Sequence, residues 1–142
     1  MMQLKAVLLS IRPKYSRKLF NGTKRVELRR VAPKLREGDT VFVYVSSPIK
    51  ELQGKFQVEQ VIEATPDQLW ATVKHDAGLS KQEFDNYYKG AAVAYGIYLR
   101  TPVSIREPLS LNELRRLWSG FHPPQSFKYL SPAEIQLVST AL

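Results

Sequence analysis

Between Thr40 and Ser46 the chain alternates with sizeable side chains on both of its faces. Val41, Val43 and Val45 project to one side, and Phe42, Tyr44 and Ser46 to the other. A strand of a one-sided sheet would carry plainly polar residues on its outer face. A strand with a core side and a second, semi-polar side belongs instead to a small barrel or a strongly bent sheet. The 142 residues fall within the range of one domain, 1–142, and 44% hydrophobic content is enough for a core of its own. Cysteine is absent, which excludes disulfide frameworks, thiolate nucleophiles and cysteine-based zinc sites together.

The remaining segments read as strands interleaved with short helices. Gln3 to Ile11 is an aliphatic strand, closed by Ser10 and Pro13. Pro13 suits the first turn of a helix, where its missing N–H costs nothing. That helix places Tyr15, Leu19 and Phe20 on one face and ends at Asn21-Gly22. Arg25 to Val31 then alternates, with Val26 and Leu28 toward the core and Glu27 and Arg29 pointing away from it together, just after Lys24. Gly54 to Thr65 is a further strand, with Phe56, Val58 and Val61 inward. Helix starts are expected at Thr65-Pro66-Asp67-Gln68 and at the capping boxes Ser80–Glu83, Ser110–Glu113 and Ser131–Glu134. Ala91 to Ile105 is the longest β-like run, with Gly96 marking a bend or close approach and Pro102 an edge or bulge. Gly120 to Phe127 is too proline-rich for regular structure. The fold class is α+β, with about five strands.

Charge is distributed unevenly along the chain. The net charge is +8, yet up to residue 36 eleven Lys and Arg residues face a single acid, Glu27. A one-sided field of this kind attracts polyanions, nucleic acid above all. His75 and His122 are isolated from any partner at metal-ligand spacing, so no metal and no cofactor are expected. No window approaches the length of a membrane span, and the expected location is cytoplasmic, with a monomer as the default state.

The run Leu9 to Tyr15, the short helix and then N-G-T-K-R-V-E-L-R resemble the G-x-K-x-x-E-x-R signature of ASCH domains. The strand from Gly90 to Leu99 and the segment PPQSFKYLS are similar to features of small stand-alone ASCH proteins. The resemblance implies a PUA-like small mixed β-barrel of about five to six strands with short helices around it. It also implies a cleft beside the first helix, lined by Lys24, Glu27 and Arg29, with RNA as the presumed ligand. Some ASCH proteins resemble amidohydrolases of N4-acetylcytidine that use a Lys, a Thr three residues later and a distant Glu. Here Lys24 is kept but Glu27 stands where the Thr would be, and a carboxylate cannot act as the alkoxide.

The leading expectation is therefore an RNA-binding module for single-stranded or loop RNA, in which Lys24 and Arg29 take phosphate oxygens. Glu27 orients them or accepts from a base N–H. The bland alternative is an ion network in which Glu27 merely steadies two cations. Lys14, Arg17 and Arg30 would add salt-dependent affinity, and Tyr44 and Ser46 could face the ligand from the semi-polar side. The second class is an enzyme on the same cleft. A metal-independent ribonuclease would use Tyr44, Lys50 and Ser126 for proton transfer and phosphorane stabilisation. A nucleoside amidohydrolase is the second enzyme this cleft could be. A transcription-related regulator binding DNA or a protein partner is the third class, although no helix-turn-helix signature is present.

Overall fold

The computed structural model describes residues 3–140. It opens with strand β1 (Ala6–Ile11) and helix α1 (Pro13–Phe20), with Pro13 at the first helical position as expected. There follow β2 (Val26–Arg29), β3 (Thr40–Val45), β4 (Glu51–Ala64), α2 (Pro66–Val73), α3 (Lys81–Tyr88), β5 (Ala94–Ser110), α4 (Leu111–Leu117), β6 (Phe127–Tyr129) and α5 (Pro132–Ser139). Helices α2 to α5 each begin with a complete capping box, from Thr65, Ser80, Ser110 and Ser131, at the four expected places. Each box satisfies two backbone donors that the helix start would otherwise leave open.

The strands form one six-stranded sheet in the order β2-β5-β4-β3-β1-β6. β1 and β3 are parallel, and the other pairs are antiparallel. The sheet curls into a half-barrel, and helices cover both of its faces. On the inner face Val7, Leu9, Ile11, Val41, Val43, Val45, Phe56, Val58 and Ile97 pack with Leu19 of α1. On the outer face Leu8, Phe42, Tyr44 and Leu52 pack under α4 and α5 through Leu114 and Val138. A third cluster joins Val26 and Leu28 of β2 to Leu69, Val73, Phe84 and Tyr88 of α2 and α3. At about 1.5–3 kcal/mol per fully buried large apolar side chain, the curl is held by both of its surfaces.

Two expectations about faces need correction. The second face of β3 is not semi-polar, because Phe42 and Tyr44 are each only 2% exposed within an apolar cluster. Glu27 and Arg29 do not point away from the protein either. Glu27 pairs across the ladder with Ile97, whose side chain belongs to the inner cluster, so Glu27 points inside the curl. Alternation separates the two faces of a strand but does not say which is covered. Here α2 and α3 cover the Val26–Leu28 face, so both are buried.

Segment limits shift for local reasons. β1 begins at Ala6 rather than Gln3, with the Lys5 amide bonded to Asp39 Oδ1 at 2.8 Å. β4 begins at Glu51, three residues before Gly54, and its register against β5 shifts between Leu52 and Gly54. A side chain at position 54 would stand 2.3 Å from the Val103 carbonyl, which explains the glycine. Gly96 is indeed a close approach, since a Cβ there would lie 3.1 Å from Leu69 and 3.2 Å from Val26. β5 runs from Ala94 to Ser110 rather than from Ala91 to Ile105, and β6 follows directly on the proline-rich loop, within which no strand was expected.

Candidate functional site

The inner end of β2 opens into a cavity of about 960 Å3 between β2, the β1–α1 junction, α3 and the loop before β6. Its floor carries three charged side chains that are almost fully buried, Lys24, Glu27 and Arg29, at 2%, 5% and 8% exposure. Ser126 and Gln125 close one side, Tyr87 and Asn86 of α3 another, and Arg12, Arg30 and Ser46 also line it.

Arg29 ties the two ends of the curled sheet together. Its Nη1 donates to the Ser10 carbonyl at 3.1 Å and to Glu27 Oε2 at 3.1 Å. Its Nη2 donates to the Ser126 carbonyl at 3.0 Å and to Ser126 Oγ at 2.9 Å. Ser10 lies on β1, Ser126 immediately precedes the edge strand β6, and β2 is the opposite edge. All four terminal N–H groups are thereby committed to the protein, so the fork that would clasp a phosphate is already in use. Because a guanidinium only donates, Ser126 Oγ must accept from it, leaving the serine hydroxyl proton for another partner.

Lys24 sits differently. Its Nζ donates to the Ala77 carbonyl at 2.8 Å and lies 5.1 Å from the centre of the Tyr15 ring. Glu27 Oε1 is 3.9 Å away, an ion pair beyond hydrogen-bond reach. Burial lowers the Lys24 pKa, with Glu27 opposing the shift. Two of the three ammonium N–H groups therefore have no hydrogen-bond partner among the described residues.

The wall between α1 and α3 is built around Glu83. Its Oε2 accepts from Lys14 Nζ at 2.8 Å and from the Tyr15 hydroxyl at 3.2 Å, while Oε1 accepts from the Ser80 amide. The Lys14 hydrogen bond is the largest cause holding the Glu83 carboxyl down to about 2. Burial, with Glu83 next to it, raises the Tyr15 phenol. Arg30 secures the far end of α3 by donating to the Tyr87 and Lys89 carbonyls at 3.2 Å each.

The structure thus gathers Lys24, Glu27, Arg29, Arg30, Ser46 and Ser126 around one cavity. Lys14 reaches its wall through Glu83. Arg17 lines a separate, smaller cavity beside α1, together with Phe20, Ile49 and Gln53. Tyr44 does not line the main cavity; its ring packs 6.1 Å from that of Phe121, and its hydroxyl has no hydrogen-bond partner among the described residues. Lys50 is exposed at a turn whose backbone returns to the Ser46 carbonyl. Among the described residues no group of three or more His, Cys, Asp or Glu could hold a metal ion, and no helix is long and apolar enough to cross a membrane.

Sequence reasoning missed Arg12, Asn86, Tyr87, Gln125 and Glu83 as wall residues. Arg12 stood next to the expected helix start and was legible as a flanking cation. The others come from α3 and the proline-rich loop, which only the closed fold brings to β2.

The ASCH domain family model matches residues 9–100. A protein of Zymomonas mobilis named ASCH domain-containing ribonuclease is 30% identical over 132 residues, covering 93% of this chain and 88% of that protein. The crystal structure of ASCH from Zymomonas mobilis superposes with a TM-score of 0.89 at 29% identity, covering 96% of this chain and 94% of that one. Structures with a similar TM-score exist for a variant of that protein with a tyrosine changed to phenylalanine and for one with a serine changed to alanine. Human THYN1, solved in complex with DNA containing 5-methylcytosine, shares the fold at a TM-score of 0.59 and 12% identity, covering 96% of each chain. With the signature residues on β2 and just before it, the family match across most of the sheet and a relative of similar length throughout, this chain belongs to the ASCH domain family.

Proposed function

We propose that this chain binds RNA in the cavity beside β2 and cleaves it there, acting as a ribonuclease rather than as a passive binding module. The observation that carries the reading is a buried, hydrogen-bonded floor of Lys24, Glu27 and Arg29, with Ser126 on Arg29 beside it, at the bottom of an open cavity. Cations of the N-terminal quarter, Arg12 and Arg30 among them, stand around it. The relationship to a protein named as a ribonuclease, over 93% of this chain and 88% of that one, supports cleavage in addition to binding. The amidohydrolase reading loses ground, because Glu27 is held by Arg29 in the place of a nucleophilic hydroxyl.

The chemistry available is transfer of protons around an attacking ribose 2′-hydroxyl. The 2′-oxygen bonds to phosphorus as the bond from phosphorus to the 5′-oxygen breaks; solvent water takes the 2′ proton and supplies the one with which the 5′-oxygen leaves. Ser126, on the side of the cavity, offers its free hydroxyl proton to the phosphate, and Arg12 at the rim offers an exposed guanidinium to the developing charge. Lys50, on the turn after Ser46, and Tyr44, buried in the outer cluster, do not line this cavity, so any part they take is separate from that of Ser126.

An end-labelled oligoribonucleotide tests this with chelator present throughout. Shortening of the RNA, binding without cleavage of the all-deoxy strand, and loss of cleavage with retained binding in Ser126→Ala are expected. Cleavage that requires added divalent metal, or RNA binding that ignores salt, overturns the proposal. Lys50→Ala and Tyr44→Phe, assayed alongside, separate their contributions from that of Ser126.

A further inference from the structure

We infer that the Glu27–Lys24 pair on the cavity floor reads the edge of one unstacked nucleobase, while the phosphates of the same strand stay at the rim. The inference rests on the RNA reading above and names which part of the RNA enters the cavity.

Three observations carry it. First, Arg29 has no terminal N–H left for a phosphate, since all four are spent on Ser10, Glu27 and Ser126. Second, Glu27 Oε2 is held by Arg29, but among the described residues Oε1 makes no hydrogen bond and meets only Lys24 Nζ, at 3.9 Å. A phosphate oxygen seated on Lys24 would lie beside this carboxylate, where like charges in a partly buried site repel strongly. A base presenting a ring nitrogen or carbonyl to Lys24 and an N–H to Glu27 satisfies both groups at once. Third, the wall suits the rest of a nucleoside. Tyr87 lines the cavity and is 38% exposed, which offers a stacking surface. Asn86 and Gln125 line it as well, with side-chain amides that make no hydrogen bond among the described residues. Arg12 also lines the cavity, exposed, and its guanidinium has neither a hydrogen bond nor an ion pair among the described residues. That places an available cation at the rim, where a backbone phosphate would run.

A buried, preorganised donor and acceptor penalise any ligand that leaves them unpaired, so the floor supplies selectivity as well as affinity. The same feature explains an acid inside the most basic quarter of the chain. Glu27 weakens attraction for phosphate alone and gives a base N–H a partner that phosphate cannot use.

The test is a titration of the full chain, followed by NMR, with the four ribonucleosides and with ribose 5-phosphate. At least one nucleoside is expected to shift resonances around the floor, whereas ribose 5-phosphate does not. The nucleoside that binds should lose at least about tenfold in affinity when its Watson–Crick edge is N-methylated. Glu27→Gln keeps the shape of the side chain but removes the charge, and should weaken nucleoside binding about five- to tenfold. Tyr87→Ala, on the exposed wall, should weaken it roughly five- to 150-fold. Equal binding of ribose 5-phosphate, or indifference to both edge methylation and Glu27→Gln, overturns the inference. If oligoribonucleotides are then still bound and cut, the RNA reading stands without it; if they are neither bound nor cut, that reading falls too.

Discussion

At the scale of single residues, Arg29 does the most to hold the site in shape. One guanidinium bonds β1, the residue preceding β6 and its own strand neighbour, so the two ends of a sheet that does not close on itself are pinned by three hydrogen bonds and the fourth holds Glu27. Lysine could replace the charge but not the fork. Arg29→Lys is expected to lower unfolding stability by about 2–4 kcal/mol, because partners of a buried charge are left unsatisfied. Chemical denaturation of the two proteins measures it, and an unchanged midpoint would mean that the pin is dispensable. Tyr44 makes the opposite case. Its hydroxyl is buried against Phe121 without a partner among the described residues, so Tyr44→Phe removes a polar group that gains nothing from folding. The variant should melt at the same temperature or higher. If it also loses RNA cleavage at undiminished stability, the hydroxyl serves chemistry rather than the fold.

At the scale of elements, α1 and α3 are clasped across the cavity wall by Glu83, which bonds Lys14, Tyr15 and its own helix cap. The folded-state pKa of about 2 lies below the ordinary 4.5, so between these values the unfolded chain binds more protons than the folded one. The contribution of this clasp is therefore fully present above pH 4.5 and fades as pH falls toward 2. Following the melting temperature from pH 6 to pH 2 should show a steeper acid loss in the native chain than in Glu83→Gln; parallel curves would remove the clasp as a source of acid sensitivity. Such elements were legible in the sequence to different degrees, for physical reasons. Caps at Thr65, Ser80, Ser110 and Ser131 are local chemistry, complete within four residues, and each starts a helix where expected. Gly54 marks only the start of a strand in the sequence, because the Val103 carbonyl that forbids a side chain there is almost fifty residues away. Likewise β6 is three residues long, with no pattern of its own, and exists because β1 offers it a free edge. The spacing of Lys24, Glu27 and Arg29 could be read, but their burial could not, since it depends on helices α2 and α3 covering the opposite face of β2.

At the scale of the whole molecule, the excess of positive charge in the first quarter of the chain divides into two populations. One is spent on structure: Arg29 on the sheet ends, Arg30 on the end of α3, Lys14 on Glu83 and Lys18 on the Gly78 carbonyl. The other remains available to solvent, and Arg12 is the member that lines the cavity. Counting cations in the sequence therefore overstates the number that a polyanion can meet. For single-stranded RNA each neutralised phosphate adds about 0.7 to the slope of log affinity against log salt. If Arg12 meets a phosphate, Arg12→Ala should reduce that slope by roughly this amount and weaken binding at every sequence alike, while leaving the melting temperature unchanged. Lys14→Ala should instead lower the melting temperature with little effect on the slope, because its charge is already matched by Glu83. Fluorescence anisotropy of a labelled oligoribonucleotide across a salt series, with thermal unfolding of the same preparations, measures both quantities. A slope lowered by Lys14→Ala and untouched by Arg12→Ala would reverse the division and place the RNA backbone along α1 instead of across the cavity rim.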